Sequence, residues 1–371
     1  MTLTIKAKVL VTGATGMQGG AAVQALLRAG HPVTAFVRDP ESAPARALAQ
    51  QGVTLAIGDM DDTVSLDAAS AGQDVVFSMQ MPGHDPADPV AEHRHARNIA
   101  TAAKRAGVSQ IIHTSVSATG WRSEHPEVQD THPVMEAYWH QKEAAGDAIR
   151  QVSIKRWTIF KPALYMENFL PPRQDYMFPD LPQGKIVTAA SPQAVMALIN
   201  ADDFGAAVAA AVADPDKFHE AEIELAGDAL THTEIADTLS RAVGREVAAA
   251  FVSREEQEQR LGAPTADSQI WNDRVGYPAP TPRRALRSDH DNPRTVGNAT
   301  GLDHPSKLNL ASLAERCLQR ANAPEIPPPE RHTPRPAAAV APTHTGRGLR
   351  TPKPVSTSPN CTRLCNAQRG W

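Results

Sequence analysis

The chain has 371 residues, 41% of them hydrophobic and 21% charged, with a net charge of −4. That is ample for a sizeable buried core and excludes a chain disordered or fibrous throughout. The charge is unevenly divided: the segment from Pro278 onward carries 14 Lys and Arg against 6 Asp and Glu, the remainder 23 against 35, so the body is acidic and gives nucleic acid no basic surface.

An apolar run, Val9 to Val11, ends at Thr12 and breaks into Gly13-Ala14-Thr15-Gly16-Met17-Gln18-Gly19-Gly20. A helix-patterned stretch follows, and a second apolar run, Val33 to Val37, stops at Arg38-Asp39. Strand, glycine turn, helix and strand is the order that seats a dinucleotide at a helix N-terminus. The rhythm then repeats, with helix over Ala43–Gln50, strand over Val53–Ile57, helix over Val64–Ala69 and strand over Asp74–Phe77, ending near Met79. Helix over Pro89–Ala106, strand over Gln110–Thr114, helix over Val134–Gln151 and strand over Trp157–Lys161 continue it. The strands are continuous apolar runs, as expected when helices cover both faces of a parallel sheet. The fold class expected is α/β: a Rossmann-type doubly wound parallel sheet over residues 1–161.

From Pro162 the rhythm loosens, and residues 162–277 are expected to form a smaller mixed α/β lobe for substrate or partner. Its helices are placed at Asp202–Ala213, Thr233–Val243 (capped by Thr231 or Thr233) and Arg254–Leu261, its strands at Glu222–Leu225 and Val247–Val252. The proline-rich Pro171–Pro182 reads as a loop at the carboxyl edge of the sheet, where α/β proteins build pockets. Residues 278–371 hold 15 of the 31 prolines and lack periodicity apart from one candidate helix, Leu308–Ala321. A disordered tail is expected there, because it cannot bury enough apolar area to offset its ordering entropy. All three cysteines (Cys317, Cys361, Cys365) lie in it. With no disulfide framework, no secretory apolar region and no run near the roughly 20 residues of a membrane span, a cytoplasmic protein is expected.

The glycines Gly13, Gly16 and Gly19 stand three apart, serving a tight turn, close approach to pyrophosphate and close helix–sheet packing. Free N–H groups and the positive helix end over Met17, Gln18, Gly19 and Gly20 would hold the phosphates. At the end of the second strand an acidic residue binds the ribose of NAD, whereas a guanidinium suits a 2′-phosphate. Arg38 comes first and favours NADP(H) over NAD(H), with Asp39 as the residue that would serve NAD.

Gly13-Ala14-Thr15-Gly16-Met17-Gln18-Gly19-Gly20, Phe36-Val37-Arg38-Asp39-Pro40, Trp157-Thr158-Ile159-Phe160-Lys161-Pro162-Ala163 and Met166-Glu167-Asn168-Phe169 together resemble the NmrA-like family, atypical short-chain dehydrogenases/reductases. The likeness runs from about Lys6 to Tyr277. It implies a cofactor site at Gly13, Thr15, Gly16, Met17, Gln18, Gly19 and Arg38, with Asp59 at the adenine and Met60 and Met79 beside it. The family divides between NADPH-dependent quinone or carbonyl reductases and non-catalytic NADP(H)-binding redox sensors that act through a protein partner.

Tyr138 and Lys142 stand at i and i+4 on one helix face, the spacing of the Tyr-x-x-x-Lys pair of active short-chain reductases. There the lysine holds the nicotinamide ribose and lowers the phenol's pKa, so that the tyrosine can donate a proton. Ser115 is the expected third catalytic residue; if Val116 occupies its place instead, that hydroxyl is missing. Asn168 and Phe169 are expected to line the substrate pocket. His93, His95, His113, His125, His132 and His140 are read as loop or surface residues, and no metal site is expected. Reduction of a small quinone, enone or carbonyl compound is the expected function, with the regulator as alternative. If the tail is dispensable, truncation after Ala285 leaves melting temperature and cofactor affinity unchanged; a large loss of either contradicts the reading.

Overall fold

The structure, a computed structural model, describes residues 6–81, 88–128 and 132–277. The tail, with its candidate helix and its cysteines, lies outside the described residues. Strands β1 (Val9–Val11), β2 (Val33–Val37), β3 (Thr54–Ile57), β4 (Val75–Ser78), β5 (Gln110–Thr114) and β6 (Arg156–Pro162) alternate with helices α1 (Met17–Arg28), α2 (Ala43–Gln50), α3 (Thr63–Ser70), α4 (Ala91–Arg105) and α5 (Pro133–Gln151). The remaining chain gives β7 (Leu164–Tyr165), α6 (Gln174–Met177), β8 (Lys185–Thr188), β9 (Val195–Ile199), α7 (Ala201–Ala213), β10 (Ala221–Leu225), β11 (Asp228–Thr231), α8 (His232–Val243), β12 (Ala248–Phe251), α9 (Arg254–Leu261) and α10 (Ala263–Arg274).

Seven parallel strands form the main sheet in the order β10-β6-β5-β4-β1-β2-β3. The order reverses at β1, so the crevice beside β1 and β4 opens at the carboxyl ends, where such sheets take ligands. Side chains alternate across the strands. Val9, Val11, Val75, Phe77, Ile112 and Phe160 face a core closed by α1, α2 and α7, whereas Leu10, Val76, Ile111 and Ile159 face one closed by α3, α4 and α5. Each buried aliphatic side chain contributes about 1.5–3 kcal/mol, so the two faces hold the sheet against its helices.

The expected boundary at residue 162 needs correction. Both α7 and β10 lie beyond it in sequence, yet α7 packs on α1 and β10 pairs with β6, from Ala221 opposite Thr158 to Leu225 opposite Pro162. What stands apart is a small unit of two sheets, β11-β9-β7 and β12-β8, around Met166, Phe169, Leu181, Ile186, Leu198, Ile235 and Leu239. Here α8 is entered through a capping box, Thr231 accepting from the Glu234 amide while the Glu234 carboxylate accepts from Thr231. The Pro171–Pro182 segment is not wholly loop, since it contains α6. Sequence reading also passed over β7, β8, β9, β11 and α10. The small unit is tied to the main sheet by an aromatic knot: Trp121 after β5, Trp139 on α5 and Trp271 on α10 lie with ring centroids 4.9–6.5 Å apart.

The contact of α1 with α7 depends on Gly205. A Cβ there would stand 2.4 Å from the Ala21 carbonyl oxygen and 3.3 Å from the Ala25 Cβ. Gly205→Val therefore pries α7 from the helix that carries the glycine turn, at a cost of about 1–3 kcal/mol. Thermal denaturation should register this as a drop of roughly 2–4 °C per kcal/mol; an unchanged melting temperature contradicts the tight approach.

Candidate active site

The crevice is built first by the glycine turn. Gly13 takes φ +64°, which only glycine adopts without strain, and a Cβ there would meet the Met79 sulfur at 2.5 Å. Gly19, in the first turn of α1, sits so close that its Cβ would lie 2.2 Å from the Gly13 carbonyl oxygen. Gly16 caps α1 without any side-chain hydrogen bond, and the amides of Met17, Gln18 and Gly19 have no backbone acceptor. The helix start is thus a set of free donors at the positive end of a dipole, suited to pyrophosphate. Thr12 ties the turn to β4: its hydroxyl donates to the Met79 carbonyl at 2.8 Å and accepts from the Met79 amide at 2.8 Å. Thr15 is exposed at the tip. The Gln18 side chain accepts from the Thr114 hydroxyl at 2.8 Å, joining the turn to the end of β5.

At the end of β2, Arg38 is exposed and makes no ion pair or hydrogen bond with the described residues. The Asp39 carboxylate instead closes a local turn by accepting from the Glu41 amide at 2.9 Å. One edge of the crevice therefore presents an unengaged guanidinium beside an engaged carboxylate, a pattern that suits a phosphate better than a ribose hydroxyl. Past β3, Asp59 is exposed and accepts from the Asp61 amide, and Met60 is half-buried with its carbonyl accepting from Asn98. Gly13, Gly16, Gly19, Arg38, Asp59, Met60 and Met79 all lie at carboxyl ends of β1, β2, β3 and β4, as one dinucleotide requires.

The catalytic candidates are arranged differently from expectation. Lys142 is buried, and its Nζ donates to Glu92 Oε1 at 2.6 Å. Glu92 lies in the first turn of α4 with its side chain 1% exposed, and its amide donates to the Gln141 side chain. Tyr138 is half-buried, with Lys142 Nζ 5.5 Å from its ring centroid and its own ring edge-on to Trp139. Its hydroxyl makes no hydrogen bond with the described residues. Burial first, and the Glu92 carboxylate second, raise the phenol's pKa above its ordinary value. Burial, with the Glu92 carboxylate adding to it, therefore keeps this phenol protonated, where the Tyr-x-x-x-Lys spacing leads one to expect lowering by the lysine.

Ser115 is buried and its hydroxyl is engaged with that of Thr119 at 2.9 Å, while Val116 packs against the aromatic knot on the Tyr138 side. Phe169 is buried in the small unit and stacks on Phe178 at 4.3 Å. Asn168 is buried with its Oδ1 unpartnered, and Glu167 caps the start of α7 by accepting from the Ala201 amide. His113 is not a surface residue but lies on β5, fully buried. Its Nδ1 approaches the Ser78 carbonyl at 3.2 Å, so that nitrogen carries the proton, and burial lowers its pKa to about 3. His132 caps α5, and His140 is exposed beside Glu136.

Two acids were missed by sequence reading. Glu92 looked like an ordinary residue of an amphipathic helix, although it falls on the face that buries Ala96 and Ile99. Glu224 on β10 accepts from the Ala118 amide at 3.3 and 3.4 Å, and Ala118 holds φ +68°. Burial pushes its pKa up to about 7. On the same sheet face, Lys161 bridges Glu222 and the Thr119 carbonyl, so these charges fix the loop that follows β5. No group of three or more His, Cys, Asp or Glu among the described residues could hold a metal ion, and no described helix is long and apolar enough to cross a membrane.

Comparison with known proteins places this geometry. The chain is 30% identical over 277 residues to the NAD(P)H azoreductase of Xenophilus azovorans, covering 71% of this chain and 85% of that protein. It is 28% identical over 248 residues to quinone oxidoreductase 2 of Escherichia coli K12, covering 64% and 76%. Among solved structures, the Citrobacter triphenylmethane reductase complexed with NADP(H) superposes with a TM-score of 0.58 at 27% identity, over 72% of this chain and 89% of that one. The model of the NmrA-like family matches residues 5–273. The sheet order, the glycine turn and this match together make the chain a member of the NmrA-like family.

Proposed function

We propose that the protein is an NADPH-dependent reductase of a small conjugated acceptor, such as a quinone, an enone or another carbonyl compound. The observation that carries the reading is the glycine turn whose Cβ positions are sterically closed, facing an unengaged Arg38. Relatives named for azo and quinone reduction support the reaction class. When bound, NADPH supplies the hydride. The amides of Met17, Gln18 and Gly19 would hold the pyrophosphate, and Arg38 the 2′-phosphate. Thr12 and Gln18 keep the turn locked to the ends of β4 and β5. Tyr138, with its hydroxyl unengaged, would donate a hydrogen bond to the acceptor's oxygen and polarise it as negative charge develops there. Lys142 retains N–H donors beyond the one given to Glu92 and would direct one to the nicotinamide ribose. Ser115, already committed to Thr119, would position the loop and leave the oxygen to Tyr138.

Arg38→Ala removes a charge-assisted phosphate contact of about 1.5–3 kcal/mol, so NADPH binding should weaken roughly 10- to 100-fold. NADH binding should change less than about threefold, since it lacks that phosphate. Equal losses for both nucleotides, measured by fluorescence titration, would place the 2′-phosphate elsewhere. Tyr138→Phe should lower kcat by roughly 10²- to 10⁴-fold with little effect on NADPH affinity. Single-turnover absorbance at the NADPH band with a panel of quinones, enones and azo compounds tests the activity itself. Oxidation by none of them rejects the reductase and leaves an NADP(H)-dependent regulator, to be sought by comparing partner pull-downs with and without cofactor.

A further inference from the structure

The Tyr-x-x-x-Lys spacing leads one to expect a lysine free to act on the phenol, yet here its ammonium is engaged. Glu92 and Lys142 face each other at 2.6 Å with side chains 1% and 10% exposed. Two contacts fix the carboxylate. The Glu92 backbone amide is held by Gln141, the neighbour of Lys142, and the carboxylate lies in the first turn of α4, where a helix favours negative charge. The ion pair therefore cross-ties α4 to α5 at the level of Tyr138. Its second oxygen, Glu92 Oε2, is buried with no partner among the described residues, so within them Lys142 is the carboxylate's direct ligand.

A buried charge that loses its partner is costly, which makes the pair a unit. Lys142 Nζ is 5.5 Å from the centre of the Tyr138 ring, and the Glu92 carboxylate bound to it acts on the phenol from the same side-chain pair. Of the charged groups, Glu92 from α4 raises the phenol's pKa, and Lys142 from its own helix lies over its ring. Tyr277, after α10, adds a second buried phenol, Trp139 and Trp271 add uncharged rings, and His113 on β5 is neutral behind Lys142.

We propose that Glu92 is a positioning residue of the site: it holds the Lys142 ammonium and cancels its charge at the phenol, so that Tyr138 works as a neutral hydrogen-bond donor. The proposal rests on Tyr138 and Lys142 being the working pair, and it distinguishes this chain from reductases whose lysine primes the tyrosine as an acid. Tyr138 polarises the acceptor's oxygen without ionising, the oxyanion left by hydride transfer takes its proton from solvent water, and no alkaline limb from the phenol's titration enters the rate in the ordinary working range. Glu92→Gln leaves Lys142 uncompensated beside the phenol and shifts the balance toward tyrosinate.

The test needs no turnover and so separates this inference from the reductase reading. Tyrosinate absorbance is followed against pH in the cofactor-free protein, and Tyr138 is isolated by subtracting Tyr138→Phe; the chain has only four tyrosines. In the unsubstituted protein Tyr138 should remain protonated through the ordinary phenol midpoint near about pH 10. In Glu92→Gln its midpoint should fall by at least about one pH unit, a tenfold rise in its acid constant. In Glu92→Gln/Lys142→Met, which removes both charges, the midpoint should return to within about half a unit of the starting value, a double-mutant cycle that isolates the pair. Ionisation of Tyr138 well below the ordinary midpoint in the unsubstituted protein overturns the proposal, as does an unmoved midpoint in Glu92→Gln. If Glu92→Gln alone does not fold, Glu92→Asp, which draws the carboxylate back from Lys142, is measured instead: its Tyr138 midpoint should fall below that of the unsubstituted protein, and an unmoved midpoint overturns the proposal.

Discussion

Everything at this site depends on how closely α1 is seated on the turn that precedes it. The Gly13 carbonyl and the Gly19 backbone approach until no side-chain carbon fits between them, and that approach aims the start of α1 at the crevice. The same helix is gripped from its other side by α7 through Gly205, so the cradle is clamped between two backbone contacts, each needing a glycine. The clamp explains why a helix well past the first six strands belongs to the cofactor-side core. It also gives the Met166 to Phe169 segment a structural task, since Glu167 caps the start of α7.

A second constraint acts on the other face of the sheet, where charge is buried. Glu92 with Lys142, the half-buried chain of Arg150, Glu222 and Lys161, and Glu224 against the Ala118 amide tie α4, α5, β6, β10 and the loop after β5 together on this face. Each partner compensates another, because an uncompensated charge at such depth costs several kcal/mol. These contacts hold the loop after β5 in a conformation that includes a positive φ at a non-glycine residue, and the aromatic knot closes over it. The side of the crevice at α4 and α5 is therefore held together by charge, and the side at the glycine turn by close backbone contact.

The first half was legible in the sequence and much of the second was not. Glycines at spacing three between an apolar run and a helix pattern announce the strand, turn and helix found here, and Arg38 directly after the second apolar run stands exposed at the end of β2. Helix caps such as Thr231 with Glu234 were readable because capping is local. By contrast, β7 and β9 are short and pair across a long insertion, so no local pattern announces them. His113 was read as a loop or surface residue for want of a partner at metal-ligand spacing, whereas strand alternation from Ile111 places it inside. The stacking of Phe169 on Phe178 was not legible, because only tertiary packing creates that core. Glu92 could not be found from sequence at all, since its partner is 50 residues away.

What joins the two halves is the claim that one bound dinucleotide spans from Arg38 to Tyr138. A crystal structure of the protein with NADPH measures that span directly. The account predicts the 2′-phosphate on the Arg38 guanidinium, the pyrophosphate on the amides of Met17 to Gly19, and the Tyr138 hydroxyl within about 3–4 Å of the space an acceptor would fill over the nicotinamide ring. A nicotinamide lying well away from Tyr138, with the phenol still enclosed by the tryptophans, would contradict it.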